Sequence, residues 1–426
     1  MMRATKDSGF EWIGIIPTEW ALSKIGQVYR LRNTKVSDTD YPPLSVTNKG
    51  IVPQLDTAAK TNAHDDRKLV KKDDFAINSR SDRRGSCGIS DFDGSVSLIN
   101  TILAPLNEMN PGYYDWLFHT VQFGDEFYKF GHGIVDDLWT TGWQEMKKIT
   151  IPTPPLPEQQ RIADFLDAKC AEIDALTADI QTQINTLEQY KRSVITETVT
   201  KGLNPATEMK DSGIDGAGVT PSHWKTTRLC YECYIRARLG WRGLKADEYV
   251  DEGYAFISAF NIQNGKLVWT PLNYITKERF DESPEIKLHS GDVLIVKDGA
   301  GVGKCARVDD LPMGGTAPNS SIAVITPSKN LDYRYVCYYL QSAVFNNFVL
   351  LLYNGMGVPH LTQEVMSKIK ILVPPLKEQM VISDYLDAKC SEIDAVVETK
   401  KSQLATLDEY KKSLIFEYVT GKKEVV

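Results

Sequence analysis

At 426 residues and 42% hydrophobic, the chain can bury at least two separate cores. No run of about eighteen apolar residues occurs, so no membrane span is expected, and the polar start MMRATKDSGF lacks the apolar stretch of a secretory signal. Seven scattered cysteines point to reduced thiols in a cytoplasm, and a net charge of −7 argues against holding nucleic acid by bulk electrostatics alone.

The first recognisable phrase is KDSGFEWIGIIPTEW from Lys6, with Gly14, Pro17 and Trp20 in a G-x-x-P-x-x-W spacing. Residues 21–150 follow with short strand-like runs, KLVKKDDFAINS and SLINTILAPL, and a helix predicted over YYDWLFHTVQFGDEFYKF. Within this region NSRSDRRG gathers Asn78, Ser79, Arg80, Arg83 and Arg84. Arginine and asparagine can form paired bonds to guanine and adenine edges, whereas serine mostly holds phosphate. A basic, solvated loop with no ligand is the bland reading of the same residues.

From Ile151 the pattern changes to a long helix. Pro154 and Pro155 exclude an earlier start, Pro157 suits the first turn, and Gly202 marks a stop. Leu166, Ile173, Ile180, Leu187 and Val194 recur every seven residues, and Ile162, Leu176 and Tyr190 offer a second apolar position, as in a coiled coil. Such a helix over 157–200 would run roughly 65 Å.

The plan then starts again. KDSGIDGAGVTPSHW from Lys210 repeats the opening phrase 204 residues on, although Glu11 and Trp12 become Asp215 and Gly216, so any contact they make differs between copies. LHSGDVLIVKDG parallels the first strand run, and DYRYVCYYLQSAVFNNFVLLL parallels the helix. YIRARLGWRGLK gathers Arg236, Arg238, Trp241, Arg242 and Lys245 as a second candidate reading loop. From Ile371 the long helix returns, 27 of 50 positions being identical to the segment from Ile151 without a gap. Leu386, Ile393, Leu407 and Leu414 keep its seven-residue row, which Lys400 interrupts, and Gly421 marks the stop.

Enzyme signatures fail. DGAGVGKC places Asp298 and Cys305 where a phosphate-binding loop needs glycine and Ser or Thr, so it reads as a glycine-rich turn between strands. Cys230 and Cys233 have only His223 nearby and make no zinc set. The Glu-x-Lys of PEIK at 284–287 has no well-spaced aspartate partner, and no NPPY-like methylation motif or other catalytic centre is visible.

The expected fold is α+β. Two similar α/β regions, residues 1–150 and 204–370, are separated by helical spacers at 151–203 and 371–426. The spacers would pair antiparallel within the chain and give approximate two-fold symmetry. Each helix packing only on its own globule is the competing reading.

The doubled motifs PPLPEQQRIADFLDAK and PPLKEQMVISDYLDAK, LEQYKRSVI and LDEYKKSLI, with the two G-x-x-P-x-x-W phrases, resemble the DNA specificity subunits of type I restriction-modification systems. The likeness covers nearly the whole chain. It implies that each variable region is a target recognition domain for half of a bipartite double-stranded DNA site, with the helices as a spacer. It also implies docking of two methyltransferase subunits on those helices, through Leu166, Ile173, Ile180, Leu187, Leu386, Ile393, Leu407 and Leu414. Motor and nuclease subunits would join through them. S-adenosylmethionine, ATP and Mg would belong to those partners, with no cofactor or metal in this chain. A coiled-coil interaction scaffold without DNA reading is the alternative.

Overall fold

The computed structural model describes residues 3–55, 64–80, 85–133, 139–237, 244, 246–299, 301–353 and 360–425. They form two compact units, one from Met1–Gln181 with Ser402–Val426 and the other from Thr182–Lys401. Both contain the same construction.

In the first unit, β1 (Tyr29–Leu31), β2 (Phe75–Asn78), β3 (Cys87–Ile89) and β4 (Asn100–Pro105) make an antiparallel sheet in the order β3-β2-β4-β1. The apolar run in FAIN follows from this position, because β2 is flanked on both edges and buried on both faces. Two helices, α1 (Pro111–Phe118) and α2 (Val121–Lys129), replace the single helix expected here. Thr120 divides them: its hydroxyl accepts the Phe123 N–H at 3.2 Å and caps the second helix. Tyr29, Phe75, Tyr114, Phe118 and Phe123 pack together as the core. Trp12, which the second copy lacks, adds an edge-to-face contact with Phe123.

In the second unit, β5 (Cys233–Arg236), β6 (Val293–Val296), β7 (Cys305–Arg307) and β8 (Ile322–Pro327) repeat the sheet in the order β7-β6-β8-β5. Helices α4 (Tyr333–Gln341) and α5 (Ala343–Tyr353) again stand where one was expected, divided at Ser342. Each region is closed by antiparallel pairing of strands from its two ends, Ala21–Lys24 with Thr150–Thr153 and Lys225–Arg228 with Lys370–Val373.

Those closing strands lead into the long helices, named here α3 (Leu156–Lys201) and α6 (Leu376–Val419). Gly202 and Gly421 follow at φ +73° and +70°, the left-handed conformation that ends a helix. Within the first unit, α3 pairs antiparallel with α6: Phe165 meets Tyr418, and Lys411 bonds Asp174 at 2.6 Å. Within the second unit the same relation holds, with Lys191 to Asp394 at 2.6 Å and Lys400 to Gln183. Lys400, the interruption in the heptad row, therefore has a polar partner on the facing helix.

The main heptad row is buried at Leu166, Ile173, Ile180, Leu386, Ile393 and Leu414, and half-buried at Leu187 and Leu407. The second row is corrected in part. Ile162 is buried, but Leu176 and Tyr190 are about half exposed, and further companions stand instead at Cys170, Ile184, Cys390 and Val397, four residues after Leu166, Ile180, Leu386 and Ile393. All four are buried. An i, i+4 step keeps neighbours on one face as well as an i, i+3 step does, which is why spacing alone did not choose between them. Among the described residues no single helix is long and apolar enough to cross a membrane.

Candidate nucleic-acid interface

The duplicated phrases meet in three dimensions. The Trp20 indole donates to Glu158 at 2.9 Å, and Trp224 donates to Glu378 at 3.1 Å. Gln159 joins the Pro154 carbonyl at 2.8 Å to the Asn110 N–H at 2.9 Å. Gln379 likewise joins the Pro374 carbonyl to the Asp332 N–H, both at 2.8 Å. Asn110 and Asp332 cap α1 and α4, so the Glu-Gln of each PPLxEQ phrase fixes the opening motif and the recognition-region helix at once. In the DAKC phrase the first aspartate does similar work. Asp167 accepts from Trp116 at 2.8 Å, while Asp387 accepts from Tyr338 at 2.7 Å and pairs with Arg307 and Arg334. These shared residues build scaffold.

In the first unit three segments meet at one end of the sheet. The β2–β3 tip contributes Ser79 and exposed Arg80. The turn before β4 contributes exposed Leu98 and Ile99, whose carbonyl at 99 accepts from the Ser79 hydroxyl at 2.7 Å. The segment around Thr140 bridges to Arg80, and the Thr141 N–H reaches the Ser79 carbonyl at 3.0 Å. A cleft of about 250 Å³ adjoins this tip, lined by Asn78, Arg80, Phe118, Phe123, Tyr128 and Trp139 among others.

The second unit assembles the corresponding segments with other side chains. The β6–β7 tip contributes Lys297, Asp298 and exposed Lys304; the turn before β8 contributes Ser320 and Ser321; and His360 bridges to Asp298. The tie from the closing segment repeats, the Leu361 N–H reaching the Lys297 carbonyl at 2.9 Å, and here the Lys297 N–H, in place of a side-chain hydroxyl, reaches the Ser321 carbonyl at 2.7 Å. Lys297 bonds Asp298 at 2.6 Å, and Asp298 also pairs with His360. Burial pulls the Lys297 ammonium below its ordinary pKa.

The residues singled out from sequence fare unequally. Arg80 is exposed at the tip and Ser79 is partly exposed beside it. Asn78 is buried, and its Oδ1 accepts the Arg80 N–H at 3.1 Å, so it shapes the tip from within. Arg236 is corrected. Its side chain is 9% exposed, donates to Asp292 at 2.7 Å and to Thr326, and is committed to the sheet interior. Arg32 with Asp74 is the same pair in the first unit. The offset of 204 that links the opening motifs also carries Arg32 onto Arg236, a signal available in the sequence. Arg83, Arg84, Arg238, Trp241, Arg242 and Lys245 lie outside the described residues.

Comparison with known proteins agrees with this construction. A family described as type I restriction modification DNA specificity domain matches residues 17–186 and again 240–406. The chain is similar to the type I restriction enzyme MjaVIII specificity subunit of Methanocaldococcus jannaschii, at 25% identity over 78% of this chain and 76% of that subunit. It is also similar to the EcoKI specificity subunit of Escherichia coli K12, at 24% identity over 48% of this chain and 44% of that subunit. Its fold resembles a solved structure described as the basis of complex assembly and conformational transition of the type I restriction-modification system. There the TM-score is 0.73 at 17% identity, covering 96% of this chain and 99% of that one. The HsdS subunit from Thermoanaerobacter tengcongensis shares the fold at a TM-score of 0.53, also at 17% identity, over 98% of this chain and all of that one.

Proposed function

The chain belongs to the type I restriction modification DNA specificity family, and from that premise we propose that it is the non-catalytic DNA-reading subunit of a type I restriction-modification complex. Residues 1–150 and 204–370 are the two recognition domains, each reading one half of a bipartite site in double-stranded DNA. The helical segments 151–203 and 371–426 set the spacing between halves and dock two methyltransferase subunits, through which motor and nuclease subunits join. S-adenosylmethionine, ATP and Mg act in those partners, and the complex works in the cytoplasm.

One observation carries this reading: the same scaffold is built twice, from the same bonds, while the segments at the sheet end differ, Arg80, Leu98 and Ile99 against Asp298, Ser320 and Ser321. Two unlike tips on like scaffolds suit two unlike half-sites. The modest acidity of the whole chain is compatible, since partner subunits can supply basic surface around the duplex.

The test is to map methylated adenines in a host carrying the partner subunits, with and without this gene. A gapped two-part motif that depends on the gene is expected. Identical maps would overturn the proposal and leave a protein-binding scaffold.

A further inference from the structure

The two clusters that stand out by arginine content, 78–84 and 236–245, do not occupy corresponding places in the duplicated plan. The first begins at the end of β2, where Asn78, Ser79 and Arg80 are described. The second begins on β5, the counterpart of β1 at the far edge of the sheet order. Arg236 within it is one half of a buried ion pair with Asp292, as Arg32 is with Asp74. Removing such an arginine from its carboxylate would leave a buried charge uncompensated, so it is held out of reach of a ligand.

The true counterpart of the arginine tip is the hairpin between β6 and β7. Four relations establish the match. Gly85 and Gly303 close the two tips at φ +74° and +88°. Cys87 and Cys305 start the returning strands, each lying opposite the third residue of the outgoing one, Ile77 or Ile295. The bridges Arg80 to Thr140 and Asp298 to His360 join corresponding segments. The N–H groups of Thr141 and Leu361 reach the carbonyls of Ser79 and Lys297.

We infer that the second recognition domain reads its half-site with this hairpin tip, through Lys297, Asp298, Ser320, Lys304 and His360, and not with the arginine-rich segment that follows β5. The inference rests on the DNA-reading proposal and specifies its second site. The chemistry differs from that of the first tip. Asp298 is an acceptor, suited to the exocyclic amine of cytosine or adenine in the major groove, while Lys297 and Lys304 are donors suited to guanine oxygens or phosphate. Lys297 and His360 hold Asp298 from two sides, so the carboxylate is presented in one orientation. A group fixed before binding loses less freedom on contact than a flexible one. The glycines that give DGAGVGK its false likeness to a phosphate-binding loop let the backbone turn tightly and keep bulk away from the duplex.

The experiment is methylated-adenine mapping with the complete chain and its partner subunits, comparing wild type with Asp298→Asn, Lys297→Ala, Ser320→Ala, Arg80→Ala and the double variant Arg238→Ala/Arg242→Ala. Asp298→Asn and Ser320→Ala are expected to relax one half of the motif, with on the order of ten-fold weaker discrimination there. Arg80→Ala should relax the opposite half. Lys297→Arg, which keeps the charge, should retain more discrimination than Lys297→Ala. If the hairpin variants keep the wild-type motif while the double arginine variant relaxes a half, the inference is wrong. Equal loss of methylation at every sequence for Asp298→Asn and Ser320→Ala would also overturn it, because that marks general DNA contact and not base reading. A wild-type map without a gapped motif would instead bring down the DNA-reading proposal itself. Ser320 is exposed, so its variant reports on reading even where changes at Lys297 disturb the fold.

Discussion

The indole N–H of Trp20 lies 2.9 Å from a carboxylate oxygen of Glu158, a residue 138 positions later in the chain. Arg3 bonds the same carboxylate, at 2.5 and 2.8 Å. In the second unit Trp224 and His223 share Glu378 in the same manner. The two motifs most conspicuous in the sequence are thus halves of one joint, which seats the start of each recognition region on the first turn of a long helix.

Glu158 is nearly buried, with a side chain 9% exposed, whereas His223 and Glu378 are 45% and 31% exposed. Removing a buried partner costs about 3–5 kcal/mol, and a screened pair about 1 kcal/mol or less. Glu158→Ala is therefore expected to destabilise its unit far more than Glu378→Ala does. Urea unfolding of both variants, with hydrogen exchange to locate the loss, checks the difference. Equal costs would show that the joint is not what the carboxylate holds.

The glycines that end the helices are under unequal constraint. A β-carbon on Gly421 would lie 2.4 Å from Pro17 Cδ, while one on Gly202 would meet Trp224 at 3.2 Å and Glu378 at 3.3 Å. Both residues have positive φ, which alone disfavours alanine by about 1 kcal/mol, and overpacking adds about 1–3 kcal/mol. Gly421→Ala is expected to lower the melting temperature more than Gly202→Ala, measured by calorimetry on the intact chain.

Acid should loosen the second unit at the α4–α6 contact. Burial by itself pushes the Asp387 carboxyl up, but the bonds from Tyr338 and Arg307 outweigh it and hold the group below the usual carboxylate range. A carboxyl with a depressed folded pKa stabilises above its unfolded value of about 3.9, and that contribution is lost as pH falls through the folded value. Stability measured from pH 6 down to pH 2 should fall below about pH 4, and Asp387→Asn should flatten that part of the curve. An unchanged profile in the variant would assign the acid sensitivity to other groups.

The spacer role is open to a direct change of length. Inserting four residues near 180 and four near 400 adds about one turn, roughly 5 Å, to both helices. The gap in the methylated motif is expected to grow by one or two base pairs. An unaltered gap would remove the helices from the measurement of spacing.

Much of this architecture is legible in the sequence because duplication turns one observation into two. The heptad row at Leu166, Ile173, Ile180, Leu386, Ile393 and Leu414, the breaks at Gly202 and Gly421, and the apolar runs FAIN and VLIV follow from local periodicity and backbone preference. The sequence alone determined the doubled plan and both long helices, since those depend on neighbours three, four or seven residues away. The tertiary structure decided what the repeated polar residues bond, which companion row is buried, and where each unit places its unlike side chains. Arg236 shows the reason. In the sequence it is one basic residue among several, and only the fold brings Asp292, 56 positions later, within 2.7 Å of it. Whether a charged side chain is a ligand for solvent and DNA or a strut in the interior depends on the partner across the chain, and composition and spacing do not contain that distance.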